Sequence, residues 1–194
     1  MYDEVKNYLN RRRDDRGGST QKSPPVGAQP SPWAFLPATP KDNFNEVFPG
    51  ILLGNYYIAK NTEELKRKRV THVVNCAQGS KFNQTNTDEE YFSGTDIKFL
   101  GIKATDTPRF PINQHFQSTA DFIDEALKEK GTVYVHCQSG MSRSGSIVLA
   151  YLMIKKGMTV MDAVKHVRDK REIFPNDGFL KQLCELDQEL QQQR

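Results

Sequence analysis

No stretch of this chain approaches the about 18 consecutive apolar residues that a membrane-spanning helix needs, so no membrane association is expected. The N-terminus, "MYDEVKNYLNRRRDD", is charged from its third residue and lacks the apolar run of a signal peptide. Cysteine is scarce: Cys76, Cys137 and Cys184 are widely spaced and odd in number, which speaks against a disulfide framework. A reducing compartment, cytoplasmic or nuclear, is the expected setting. Excess charge of one sign is also missing. Against 24 acidic residues stand 27 basic ones, and a dispersed net charge of +3 gives no reason to expect nucleic acid as a partner. Of the four histidines, His72, His115 and His166 lack metal-ligand spacing. No internal repeat is found. What remains is an ordinary globular composition over 194 residues, enough for one domain and a modest appendage.

The appendage is expected at residues 1–44. Residues 2 to 10, "YDEVKNYLN", place Tyr2, Val5, Tyr8 and Leu9 on one side of a short helix. The stretch "RRRDDRGGSTQKSPPVGAQPSPWAFLPATPKDN" then holds six of the ten prolines and few periodic apolar residues, the pattern of an extended linker. From Asn45 to Arg194 the chain reads as one compact domain. "EVFPGILLGN", "THVVNC", "IKFLGIKA" and "TVYVHC" read as strands, the last apolar enough to be central. "NTEELKRKR" and "INQHFQSTADFIDEALKEKG" read as helices, the second ending at Gly131. "RSGSIVLAYLMIKKG" is apolar nearly all round and predicts a helix packed on both sides. "TVMDAVKHVRDKR", with Thr159 as N-cap, and "NDGFLKQLCELDQEL" are amphipathic helices. Alternating elements of this kind predict an α/β fold with a mainly parallel sheet flanked by helices.

Between the central strand and the buried helix lies "HCQSGMSRSG". Loop N–H groups and a helix N-terminus converge there on one point, which favours an anion, phosphate above all. Gly140 permits a tight turn, and Arg143 supplies a planar fork for two phosphate oxygens. At the floor, the positive field stabilises Cys137 as a thiolate, a nucleophile placed for in-line attack on phosphorus. Taken singly, Cys137 is more often a small buried hydrophobe and Arg143 a surface charge. The filling is Gln138, Ser139, Gly140, Met141 and Ser142, and two serines and a glycine between a buried strand and a buried helix pack poorly, which favours the anion site.

That loop resembles the His-Cys-x5-Arg-Ser loop of cysteine-dependent protein tyrosine phosphatases. Together with "NEVFPGILLGN", "THVVNCAQG", "IKATDTPRF", "ADFIDEAL" and "REIFPNDGFLKQLCEL", it is similar to the atypical dual-specificity phosphatases of the VHR type, from about Asn45 to Leu190. The resemblance implies a protein tyrosine phosphatase-like fold. It implies a shallow pocket for phosphotyrosine and phosphoserine or phosphothreonine, and residues 138 to 143 as phosphate ligands. A thiolate alone is half a mechanism, because the leaving oxygen needs a proton. Asp106, the one carboxylate of "KATDTPRFP", is by itself more often a turn residue; the resemblance makes it the general acid. The resemblance also gives Ser144 the task of helping the thiolate leave, beside a plain role as a helix N-terminal serine. His136 is implied to shape the loop and lower the thiolate pKa.

Arg171 matches an arginine that holds a second phosphate, and equally fits a solvated helix end. Asn176 matches a residue bracing the loop, and equally fits an N-cap. Neither metal nor other cofactor is needed, since Arg143 and backbone donors neutralise the phosphate. The expected partners are phosphorylated proteins, mitogen-activated protein kinases among them as a family-level expectation, with the chain itself a monomer or weak homodimer. Ser139, Met141 and Gly145 depart from the usual acidic, aromatic and proline residues of that loop, which bears on the pocket wall. Arg11 to Arg13 and "LKRKR" fit targeting or docking patches, the second also a solvated helix face. Three rivals remain. A binding module without turnover is disfavoured by the presence of Cys137, Asp106 and Arg143. A phosphoinositide or RNA 5′-phosphatase is disfavoured by the uncharged "QSGMS", and a rhodanese-like sulfur transferase by the other matching segments.

Overall fold

The computed structural model describes residues 1–10 and 39–193; Arg11 to Arg13 and the Pro-rich stretch as far as residue 38 lie outside the described residues. The N-terminal helix α1 (Tyr2–Asn10) is followed by strands β1 (Phe44–Phe48) and β2 (Ile51–Gly54). Then come short helices α2 (Tyr56–Ala59) and α3 (Thr62–Arg67), strand β3 (Val70–Asn75), a 3-10 turn (Glu90–Phe92) and strand β4 (Lys98–Gly101). A second 3-10 turn (Ile112–His115) leads into α4 (Phe116–Lys128), which is followed by β5 (Thr132–His136). Helices α5 (Arg143–Lys156), α6 (Val160–Arg168) and α7 (Asp177–Gln192) complete the chain.

The five strands are ordered β1-β2-β5-β3-β4, with only β1 antiparallel to its neighbour. Alternation along each strand divides the apolar residues between two faces. Ile51, Leu53, Val74, Val133 and Val135 join the larger core under α4 to α7, while Leu52, Val73 and Tyr134 join the smaller one with Leu65 of α3. The all-round apolarity of α5 is explained by its central place: every residue from Arg143 to Met153 is buried, against α4, α6, α7 and the sheet. A left-handed Gly157 ends it, with Lys155 and Lys156 in the last turn. Val5 and Leu9 bury the inner face of α1 in the larger core, where the helix contacts α6 and α7.

Two local expectations are corrected. "EVFPGILLGN" is a hairpin rather than one strand, because Pro49 has no N–H to donate and Gly50 turns at φ 79°, its N–H held by Glu46 Oε1. The helix expected to end at Gly131 ends at Lys128, and the left-handed residue there is Lys130 at φ 58°. The N-caps agree with expectation: Thr159 caps α6 and Asn176 caps α7 through their side chains.

Candidate active site

β5 stops at His136 and α5 starts at Arg143, so six residues, Cys137 to Ser142, cross from the centre of the sheet to the central helix. Their carbonyls are tied outward one after another. Gln138 O accepts from Tyr56 N (3.3 Å), Ser139 O from Arg171 Nη2 (3.0 Å) and Gly140 O from Arg171 Nε (2.9 Å). Met141 O accepts from Phe174 N (3.2 Å), and Ser142 O from Ser146 N (2.9 Å) and Ser146 Oγ (2.8 Å). Since N–H and C=O point oppositely across a peptide, fixing the carbonyls outward turns the N–H groups inward, toward an anion. Gly140 makes the turn at φ 72°, and a Cβ there would lie 2.4 Å from Gly54 O.

Cys137 sits beneath this ring, 1% exposed, accepting from Ser144 Oγ at 3.1 Å and from Gly140 N at 3.3 Å. Burial alone pushes its thiol pKa up; the Arg143 guanidinium, the Ser144 hydroxyl and N–H, and the Gly140 N–H outweigh it, and the net direction is down. Arg143 is 2% exposed and is steered by two carbonyls, Asn83 O (2.8 Å) and Ala104 O (3.2 Å), both accepting from Nη1. Its Nε has no hydrogen-bond partner among the described residues.

His136 is buried at the entry to the loop. Burial depresses its pKa to about 4, its Nδ1 lies 3.3 Å from Cys137 O, and its ring stacks on Tyr134. A neutral imidazole adds no positive charge, so it shapes the loop's entry while Arg143 and Ser144 lower the thiolate pKa.

Asp106 comes to the opposite wall. Its Oδ1 accepts from Ser142 Oγ (2.7 Å) and Asn176 Nδ2 (2.8 Å), and its Oδ2 lies 3.7 Å from Arg143 Nε. Asn176 therefore does three things at once: Oδ1 caps α7 at Phe179 N, Nδ2 holds the acid loop, and the backbone N–H donates to Ser142 Oγ (3.2 Å). Arg171 is corrected. Rather than facing solvent to hold a second phosphate, it is 1% exposed. Besides the two loop carbonyls, it donates to Asp42 O and Asn45 Oδ1, each at 3.0 Å. It braces the loop. Of the pocket-wall residues, Ser139 is exposed and Met141 is buried.

Several contributors carry no sequence signal because they act through backbone atoms: Tyr56 N, Asn83 O, Ala104 O and Phe174 N. Asn75 is another that was missed. Fully buried at the end of β3, it donates to Thr85 O, Thr87 O and Thr87 Oγ1 and so fixes the loop that carries Asn83. Its place between a strand and a glycine-containing turn was the available hint. Cys76 lies one residue beyond the Asn75–His136 pairing, beside Cys137, where burial pushes its thiol well up.

The site can therefore hold an oxyanion against inward N–H groups and an arginine, with a thiolate below and a carboxyl group beside it. Residues 51–189 match the family model "Dual specificity phosphatase, catalytic domain". Dual specificity protein phosphatase 26 from Bos taurus is 46% identical over 149 residues, covering 76% of this chain and 69% of the relative. The Homo sapiens relative of the same name is 45% identical over the same span, with the same coverage of both chains. The structure of human DUSP28 superposes with TM-score 0.68 at 28% identity, covering 79% of this chain and 99% of that one. That of human tyrosine phosphatase-like serine/threonine/tyrosine-interacting protein gives TM-score 0.67 at 33% identity, covering 75% and 95%. By sequence, fold and catalytic-domain match alike, this chain belongs to the dual-specificity protein phosphatase family.

Proposed function

We propose that the chain hydrolyses phosphotyrosine and phosphoserine or phosphothreonine on proteins through a phosphocysteine formed on Cys137. The observation that carries this reading is the Cys137 sulfur itself, held below its ordinary pKa under a loop whose carbonyls are all tied away from it. The thiolate attacks phosphorus, and the P–O bond to the substrate breaks in line. Arg143 and the N–H groups of residues 138 to 143 stabilise the equatorial oxygens, whose charge the transition state spreads. Asp106 gives its proton to the leaving oxygen, then takes one from the water that cleaves the P–S bond. In that second step the Ser144 hydroxyl, already 3.1 Å from the sulfur, stabilises the departing thiolate.

Mitogen-activated protein kinases, in the cytoplasm or nucleus, are the substrates proposed on family grounds. The experiment is phosphate release from a phosphotyrosine peptide and a phosphothreonine peptide, with Cys137→Ser and Asp106→Asn alongside. Turnover of both peptides, lost in Cys137→Ser, supports the reading. Binding without turnover by the unaltered chain would replace it with a phosphoprotein-capture role.

A further inference from the structure

One short segment touches four successive residues of the phosphate loop, Ser139 to Ser142, and then the acid. Arg171 holds Ser139 O and Gly140 O, Phe174 N holds Met141 O, and Asn176 holds Ser142 Oγ and Asp106. Two residues on, Gly178 meets the acid loop so closely that a Cβ would lie 1.8 Å from Pro108 O. Pro108 is two residues from Asp106. The placement of residues 171–178 thus sets both the phosphate loop and the acid loop.

Both ends of that segment are held by α1. At the near end, Arg168 Nη1 donates to Tyr8 O near the C-terminus of α1, and the guanidinium lies over the Tyr8 ring. The same guanidinium makes a buried ion pair with Glu172 Oε1 at 2.6 Å. At the far end, Lys6 Nζ pairs with Asp177 Oδ2 at 2.9 Å. Asp177 stands between Asn176, which holds Asp106, and Gly178, which abuts Pro108. Val5 at 0% and Leu9 at 3% exposure keep the helix seated between these two contacts.

We propose that the N-terminal helix α1 is a positioning element for the general acid, acting through Asp177 and Arg168 on the segment that sets the Asp106 loop against the phosphate loop. With Asp106 as the acid proposed above, a misplaced acid loop has a signature that simple destabilisation lacks. Loss of proton donation slows substrates with poor leaving groups most. Arg171 keeps its four hydrogen bonds, none of them to α1, so the cradle and Cys137 are disturbed less than the acid loop and a substrate with a good leaving group is affected least.

The test uses the full chain and compares kcat/KM for p-nitrophenyl phosphate and for phenyl phosphate, whose leaving group is the poorer. In Val5→Asp the buried apolar face of α1 gains a charge, and amide hydrogen exchange over residues 2–10 verifies its release. The ratio of p-nitrophenyl to phenyl phosphate activity is expected to rise about tenfold, a fraction of the roughly 100- to 10,000-fold that general acid catalysis supplies. Lys6→Glu, which sets like charges face to face, should raise the ratio by a smaller factor, and Lys6→Arg should restore it. An unchanged ratio once residues 2–10 exchange freely overturns the proposal. So does an equal fall for both substrates, which would make α1 purely structural. Asp106→Asn separates the two readings. If it raises the ratio and Val5→Asp does not, the role of α1 alone fails. If Asp106→Asn leaves the ratio unchanged, the acid assignment fails and the role of α1 with it.

Discussion

Replacing Arg171 by methionine separates a brace from a second phosphate site. The guanidinium is 1% exposed and makes four hydrogen bonds, to Ser139 O, Gly140 O, Asp42 O and Asn45 Oδ1, at 2.9–3.0 Å. Hydrogen bonds to a charged donor contribute about 1.5–3 kcal/mol each, but such contributions from one side chain are not additive. Methionine fills similar volume and leaves the buried Gly140 O and three part-buried acceptors without this partner, at up to about 1–3 kcal/mol apiece. Taking two of the four as fully stranded gives a loss of about 4 kcal/mol, within the roughly 3–5 kcal/mol expected when a buried charged network loses a member. For a domain of this size that corresponds to a fall in Tm of about 8–16 °C. Because Ser139 and Gly140 are the residues released, kcat/KM should fall for every phosphorylated substrate. Differential scanning calorimetry, with kinetics on a singly and a doubly phosphorylated peptide, reads both effects. A Tm within about 2 °C of the parent, with the loss confined to the doubly phosphorylated peptide, would refute the brace and return Arg171 to the pocket.

Gly140→Ala should abolish phosphate release by at least about 100-fold and lower the Tm, since a methyl there meets Gly54 O at 2.4 Å on a left-handed backbone. Gly145→Ala should do the opposite to stability: its Cβ meets Ile173 at an ordinary 3.5 Å inside α5, so calorimetry should show a gain of about 0.5–1 kcal/mol. Ser144→Ala removes a donor to the thiolate, so the pH midpoint for alkylation of Cys137 should move upward; a downward move would contradict the hydrogen bond's direction. His136 has a folded pKa of about 4, below its unfolded value. The unfolded chain therefore binds the extra proton, and its contribution to stability is lost as pH falls from about 6.5 toward 4. Unfolding free energies from denaturant melts should fall across that window with up to about 1.4 kcal/mol per pH unit from this group, and His136→Asn should reduce the slope, leaving the part due to His72 and His115.

The phosphate loop was legible because its chemistry is compressed into consecutive residues: a strand, a cysteine, small residues, an arginine and a buried helix. Asp106 was legible only through resemblance, since a lone aspartate in a turn has no local mark of its function. Arg171 was misjudged because residue type reveals what a side chain can do in water, whereas this one acts while buried, by directing its donors to backbone carbonyls. The hairpin at Pro49–Gly50 was hidden by the apolar runs on either side, although the dipeptide itself signals a turn. Contributions from Tyr56 N, Asn83 O, Ala104 O and Phe174 N were beyond reach, because any residue other than proline supplies the same N–H and any residue the same carbonyl.

The five outward carbonyls of the phosphate loop take their donors from separate stretches: Tyr56 at the start of α2, Arg171 and Phe174 in the segment before α7, and Ser146 in the first turn of α5. None of those donors is in position unless its own element is packed. The anion cradle is thus a parity check on the whole fold, passing only when separate parts agree. A chain still collapsing during synthesis, or one partly melted by heat, has no half-formed cradle with reduced selectivity. It has none, so activity and cooperative folding should vanish together rather than leave a loose, indiscriminate phosphatase behind.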